Sequence, residues 1–182
     1  ESPAVLDYLG RRAARMASEL PPVPDSLDAW EKHRDQLVAQ LEDGLGLPDR
    51  EPMKSAIMGT DPADDLVIEE VAYLWAADTF ASATVIRNGN PSAGRPAIVI
   101  TPGESGHYTF KPYRKAVDAL AREGYLVLFI DDPRIGRRHA PHAGLYATAS
   151  AAGTQVAGIQ VFDALRGLDY LLTRPDVDPH KI

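Results

Sequence analysis

The spacing of apolar residues changes three times along the chain. In the first fifty positions it is helical. Val5, Leu9, Ala13, Met16 and Leu20 fall on one face, opposite Arg11, Arg12 and Arg15. Pro21, Pro22 and Pro24 end that helix. Asp25 or Ser26 can cap a second one, whose apolar side is Leu27, Trp30, Leu37, Leu41 and Leu45. Gly44, Gly46 and Pro48 stop it.

From Ser55 the pattern turns to strands. Ser55 to Thr60, Leu66 to Trp75 and Ser82 to Asn88 are the candidates, with partial alternation at Val67, Glu69 and Val71. Asn88 to Pro96 is a turn rich in Gly, Asn and Pro. These strands predict an antiparallel or mixed edge of a sheet.

The third regime has two nearly all-apolar runs, Ala97 to Gly103 and Tyr125 to Ile130. Between them Tyr113 to Gly124 reads as a helix with Val117, Leu120 and Ala121 inward and Gly124 at its C-terminal end. Two continuous apolar strands around one helix predict a βαβ unit buried on both faces. A loop from Asp131 to Tyr146, a long helix from about Ala149 to Thr173, and a new strand starting at Ile182 are expected next. The alternation predicts a parallel sheet with its functional residues at the strands' carboxyl ends.

Composition narrows the function classes. The 182 residues are 45% hydrophobic and 25% charged, with a net charge of −7 and a pI near 5.2. An acidic chain is unsuited to non-specific nucleic-acid binding, which needs a basic face. No apolar run approaches the length of a membrane-spanning helix. The absence of cysteine excludes disulfides, thiolate metal sites and a Cys nucleophile within this stretch. The chain begins at Glu1 rather than Met, as after removal of a leader or tag. A soluble protein, cytoplasmic or secreted, is expected.

Two segments carry candidate chemistry. Thr101 to His107 reads TPGESGH, where Gly103 and Gly106 let backbone approach a ligand closely. It is either a plain Gly-rich turn or one that aims N–H groups at a developing oxyanion. It is not a phosphate loop, because no Lys follows the glycines and Glu104 repels phosphate. Asp131 to His139 reads DDPRIGRRH. Asp131 or Asp132 can serve a site or organise its own loop. Arg134, Arg137 and Arg138 can clamp an anion or form structural ion pairs. His139 and His142 lack a nearby third ligand, so no metal is expected.

Ala157 to Ile182 resembles the segment preceding the nucleophile elbow in α/β-hydrolases of the acetyl xylan esterase-like and dienelactone hydrolase-like group. That group carries D-x-x-R-x-x-D-[YF]-L and then P-x-V-D-P-x-[KR]-I. Asp163, Arg166, Asp169, Tyr170 and Leu171 match the first motif, and Pro175, Val177, Asp178, Pro179, Lys181 and Ile182 the second. Ala119 to Arg138 and Ile98 to His107 resemble the group's next strand and its oxyanion turn. Two departures stand out: Pro102-Gly103 replaces the group's His-Gly, and Arg137 replaces the second glycine of its G-x-G loop.

The resemblance implies an α/β-hydrolase fold: a helical extension over residues 1–50, then the amino-terminal part of the hydrolase domain over 51–182. It implies a serine esterase acting on carboxylic esters, including acetyl or methyl esters of carbohydrates. A peptidase of the same fold and a non-catalytic binding protein are the alternatives. The implied roles are Glu104 as backbone N–H donor of the oxyanion hole, with Gly103 beside it. Ser105, His107, Asp132, Arg134 and His139 are the implied substrate contacts. The nucleophile and base are expected after Ile182, so the chain alone is expected to be inactive. No cofactor is implied. The expected partners are the ester substrate, the C-terminal remainder of the same protein and a further copy of the chain. The extension is expected to serve as a lid or an oligomer contact.

Overall fold

A computed structural model describes residues 3–90, 92–101, 108–109, 111–134, 138 and 142–182. The chain divides into two units, Glu1–Leu41 and Glu42–Ile182. The first contains helix α1 (Pro3–Ser18) and most of α2 (Leu27–Leu45). Ser26 caps α2, its Oγ accepting from Ala29 N–H at 3.3 Å.

The second unit is built on five strands: β1 (Ser55–Ala63), β2 (Leu66–Ala76), β3 (Thr79–Asn88), β4 (Ala97–Ile100) and β5 (Leu126–Ile130). Their order across the sheet is β1-β2-β3-β5-β4. The first three form an antiparallel meander, β3 pairs antiparallel with β5, and β4 lies parallel to β5. The expected mixed edge and βαβ unit are both present. The crossover helix α3 (Lys111–Arg122) ends in a Schellman turn. Gly124 sits at φ +97°, Tyr125 N–H bonds Leu120 O at 3.2 Å, and Gly124 N–H bonds Ala121 O at 3.1 Å.

Strand β5 is covered on both faces, which is why it reads LVLFI without a polar break. Alternate residues point to opposite sides. Leu66, Ile86, Val127 and Phe129 pack with Val117 and Ala121 of α3. Val71, Tyr73, Val85, Leu126, Leu128 and Ile130 pack with Tyr170 and Leu171 of α5 (Val156–Thr173).

Two expectations are corrected. The single helix expected from Ala149 to Thr173 is two: α4 (His142–Ala151) and α5, separated by Gly153 at φ +75°. A side chain at that φ is strained, so a helix ends there in favour of a turn. The loop expected to reach Tyr146 therefore gives way to helix at His142. The strand expected to begin at Ile182 falls on the last residue given, and the residues just before it already reach the sheet. Ala97 N–H donates to Lys181 O at 2.9 Å, and Arg95 and Val177 form a parallel bridge at the start of β4.

Candidate functional site

The parallel pair β4 and β5 ends at Thr101 and at Asp131-Asp132. Opposite these ends lies the first half of α5, with Gln160 and Asp163 turned inward. Thr101, Ile130, Asp131, Asp132, Pro133, Gln160 and Asp163 line a cavity of about 10 Å³, the volume of one water.

Each charged group there has a defined partner. Asp132 is buried and grips Arg134 with both oxygens. Arg134 Nε donates to Oδ1 at 2.7 Å and Nη2 to Oδ2 at 2.9 Å, and its backbone N–H reaches Oδ1 at 2.9 Å. Gln160 Nε2 adds a bond to Oδ2 at 2.8 Å. Burial pushes the Asp132 carboxyl up, but the Arg134 side chain, its N–H and Gln160 outweigh that and hold it below the usual range. Arg134 Nη1 donates onward to the Tyr146 hydroxyl on α4 at 3.4 Å.

A second pair ties the same loop to α5. Arg138 Nη1 donates to Asp163 Oδ2 at 2.7 Å and to the Asp131 backbone oxygen at 3.4 Å. Asp163 is 2% exposed and, among the described residues, has one cation for its charge. Burial therefore dominates and raises its pKa to about 6, although Arg138 pulls the other way. The Trp75 indole faces this carboxylate and favours its charge without completing a hydrogen bond. Asp131 accepts from Ser82 Oγ at 2.6 Å and returns its own N–H to Ser82 O at 3.1 Å, fixing the end of β5 against β3.

Beside this cluster is an open groove of about 600 Å³ along α4 and the start of α5. Tyr146, Ser150, Thr154, Gln155 and Gln160 line it, a surface rich in hydroxyl and amide groups. Gln160 faces both the groove and the cluster.

Of the residues expected from sequence, Asp132 and Arg134 are brought together, as partners of each other. That pairing occupies most of the Arg134 guanidinium. Gly103, Glu104, Ser105, His107 and His139 lie outside the described residues. Among the described residues no group of His, Cys, Asp and Glu has the arrangement of a metal site. Sequence reading did not single out Gln160, Ser82 or the Asp163–Arg138 pair. Its available signal was a carboxylate on the inward face of a helix, which needs a buried cation to be stable.

No family model matches the chain. It is 26% identical over 163 residues to the Bacillus subtilis (strain 168) protein named "Putative hydrolase YtaP", covering 83% of the chain and 54% of that protein. Among solved structures, a "putative acetyl xylan esterase" from Bacteroides fragilis NCTC 9343 superposes with a TM-score of 0.70 at 14% identity, over 85% of this chain and 46% of that one. Methylesterase BT1017 gives 0.63 at 19% identity, over 85% and 35%. A glucuronoyl esterase from Teredinibacter turnerae T7901 gives 0.60 at 14%, over 88% and 48%.

The chain has the α/β-hydrolase fold. It spans about half the length of the curated relative and of the acetyl xylan and glucuronoyl esterase structures, and about a third of Methylesterase BT1017. In an α/β-hydrolase, open-sheet logic puts ligands outside the carboxyl ends of the parallel strands. Here that edge is the end of β4 and β5, where the two carboxylate–arginine pairs hold the loop after β5 against α5. Among the described residues no helix is long and apolar enough to cross a membrane.

Proposed function

We propose that the chain belongs to a serine esterase acting on acetyl or methyl esters of carbohydrates. The observation carrying this reading is the polar cluster at the carboxyl ends of β4 and β5, in a fold shared with proteins named as acetyl xylan, methyl and glucuronoyl esterases. The hydroxyl- and amide-lined groove beside Gln160 suits a polyhydroxylated substrate.

In this reading a serine attacks the ester carbonyl, a histidine takes its proton and then returns it to the leaving alcohol, and a carboxylate orients the histidine. These three come from residues outside the 182. Glu104 N–H, in the segment after Thr101, is the proposed donor to the oxyanion of the tetrahedral intermediate, with Gly103 offering no side chain to obstruct it. Ser105, His107 and His139 are the proposed substrate contacts. Asp132 and Arg134, positioned by each other, form part of the pocket wall.

The test uses the full-length protein with p-nitrophenyl acetate, an acetylated xylo-oligosaccharide and a methyl uronate ester. Turnover that is lost on labelling with a serine-directed fluorophosphonate supports the proposal. A protein that binds such sugars but neither hydrolyses them nor takes the label refutes it in favour of a binding module.

A further inference from the structure

The first unit hides none of its apolar residues. Among the described residues of Glu1–Leu41, none is buried. On α1, Val5, Leu6, Leu9 and Met16 form one stripe, which Leu20 just beyond the helix continues, each more than half exposed. On α2, Leu27, Trp30, Leu37, Val38 and Leu41 form a second, from 46% to 73% exposed. Together these side chains offer roughly 1,000 Å² of apolar surface per protomer, where a stable interface needs about 800 Å² from each partner. Monomeric soluble proteins rarely expose contiguous apolar patches of that size.

The charges beside the stripes say what covers them. α1 is basic: Arg11, Arg12 and Arg15 outnumber Asp7. Arg12 and Arg15, expected from the spacing on the opposite face, border its stripe instead. α2 is acidic, with Asp28, Glu31, Asp35, Glu42 and Asp43 against Lys32 and Arg34. Its stripe is flanked by Glu31 and Glu42. Asp7, Asp28 and Asp35 already pair with Arg11, Lys32 and Arg34 on their own helices. Among the described residues, Arg12, Arg15, Glu31 and Glu42 form no ion pair. The two stripes thus carry flanking charge of opposite sign.

We propose that the occupant is a second copy of this chain. The α1 stripe of one protomer docks on the α2 stripe of its partner and vice versa, giving a twofold four-helix layer. Arg12 and Arg15 meet Glu31 and Glu42 across each of the two equivalent contacts. An anionic membrane surface is disfavoured as the occupant, because α2 would bring net negative charge to it.

The test is sedimentation equilibrium of the full-length protein and of two charge-reversed forms of it, with circular dichroism to confirm that helix content is kept. The chain should dimerise at about 100 µM or below. Arg12→Glu with Arg15→Glu, and separately Glu31→Lys with Glu42→Lys, should each weaken self-association at least about tenfold. Mixing the two forms should restore the dimer, because both contacts then pair opposite charges. A wild-type chain that stays monomeric overturns the proposal, as does a monomer that sediments with vesicles of phosphatidylcholine and phosphatidylserine. Failure of the mixture to associate more tightly than either form alone overturns the reciprocal α1–α2 pairing.

Discussion

Replacing Asp163 by Asn tests the electrostatics of the loop-to-helix tether. The carboxylate is buried on α5, paired with Arg138, and its pKa rises from an ordinary 3.8 to about 6. Arg138 and the Trp75 indole favour its charge, while burial and the Asp132 carboxylate oppose it. An acid with a raised folded pKa holds its proton longer when folded than when unfolded. The stability linked to that proton is fully present below pH 3.8 and is lost as pH rises through about 6. At about 1.4 kcal/mol per unit, the native protein loses roughly 2.5 kcal/mol between about pH 4 and pH 7.5 from this group alone. Asn keeps the shape and an acceptor for Arg138 but removes the titration. The stability of Asp163→Asn relative to the native chain should therefore rise by roughly 2.5 kcal/mol over that interval. The measurement is urea unfolding of both proteins across the pH range. A stability difference that stays constant to within about 0.5 kcal/mol would refute the reasoning, since Asp163 would then titrate as an ordinary carboxylate.

Other perturbations follow from the same geometry. Arg138→Met leaves the Asp163 carboxylate without its cation and should cost about 3 kcal/mol at neutral pH by urea unfolding, less in acid where Asp163 is protonated. Gly158→Ala drives a methyl group into the Leu45 carbonyl oxygen, and despite the better helix propensity of Ala it should destabilise by about 1–3 kcal/mol in thermal unfolding. Ala77→Gly relieves a non-glycine residue at φ +38° in the β2–β3 turn and should stabilise by about 0.5–1 kcal/mol. In the full-length protein, Glu104→Pro removes the proposed oxyanion donor and should lower turnover about 100-fold with the fold intact, whereas Glu104→Gly should leave it similar or higher.

Some of this architecture was legible because the residues leave little choice. Leu126 to Ile130 are all apolar, so a strand there must be covered twice. Gly124 after an amphipathic run marks a helix end at its positive φ. The break between α4 and α5 was hidden because Gly153 sits among small residues, with no proline to interrupt the helical reading. The β2–β3 hairpin was hidden because Ala77-Asp78 lacks the Asn-Gly pair that usually supplies two positive φ values. Asp132 and Arg134 were visible as candidates, but two positions of separation does not reveal a mutual fork. Asp163 and Arg138 lie 25 residues apart in sequence, and only the packing of α5 on the sheet brings them together.

The helix α5 explains why the carboxyl end of the sheet has a fixed geometry. Its inward face alternates apolar contacts with buried polar groups, each with a specific partner. Gln160 and Asp163 hold the loop after β5. One turn on, Arg166 is buried, with Nε donating to Leu74 O at 2.9 Å and Nη1 to Asp169 at 2.8 Å. Gly167 lets the helix approach so closely that a methyl group there would sit 3.0 Å from side-chain carbons of both Leu128 and Ile130. Past the C-terminus of α5, Arg174 bonds Glu69 of β2 at 2.7 Å and Asp176 at 2.8 Å. An all-apolar face could slide or rotate by a residue at little cost. This one cannot, because any shift strands several buried charges, at several kcal/mol for each broken pair. The register of α5 is thereby pinned along its whole length. Asp132, Arg134 and Arg138 inherit that precision through their bonds to α5 and to each other, at the edge where an α/β-hydrolase must hold its substrate to within a fraction of an ångström.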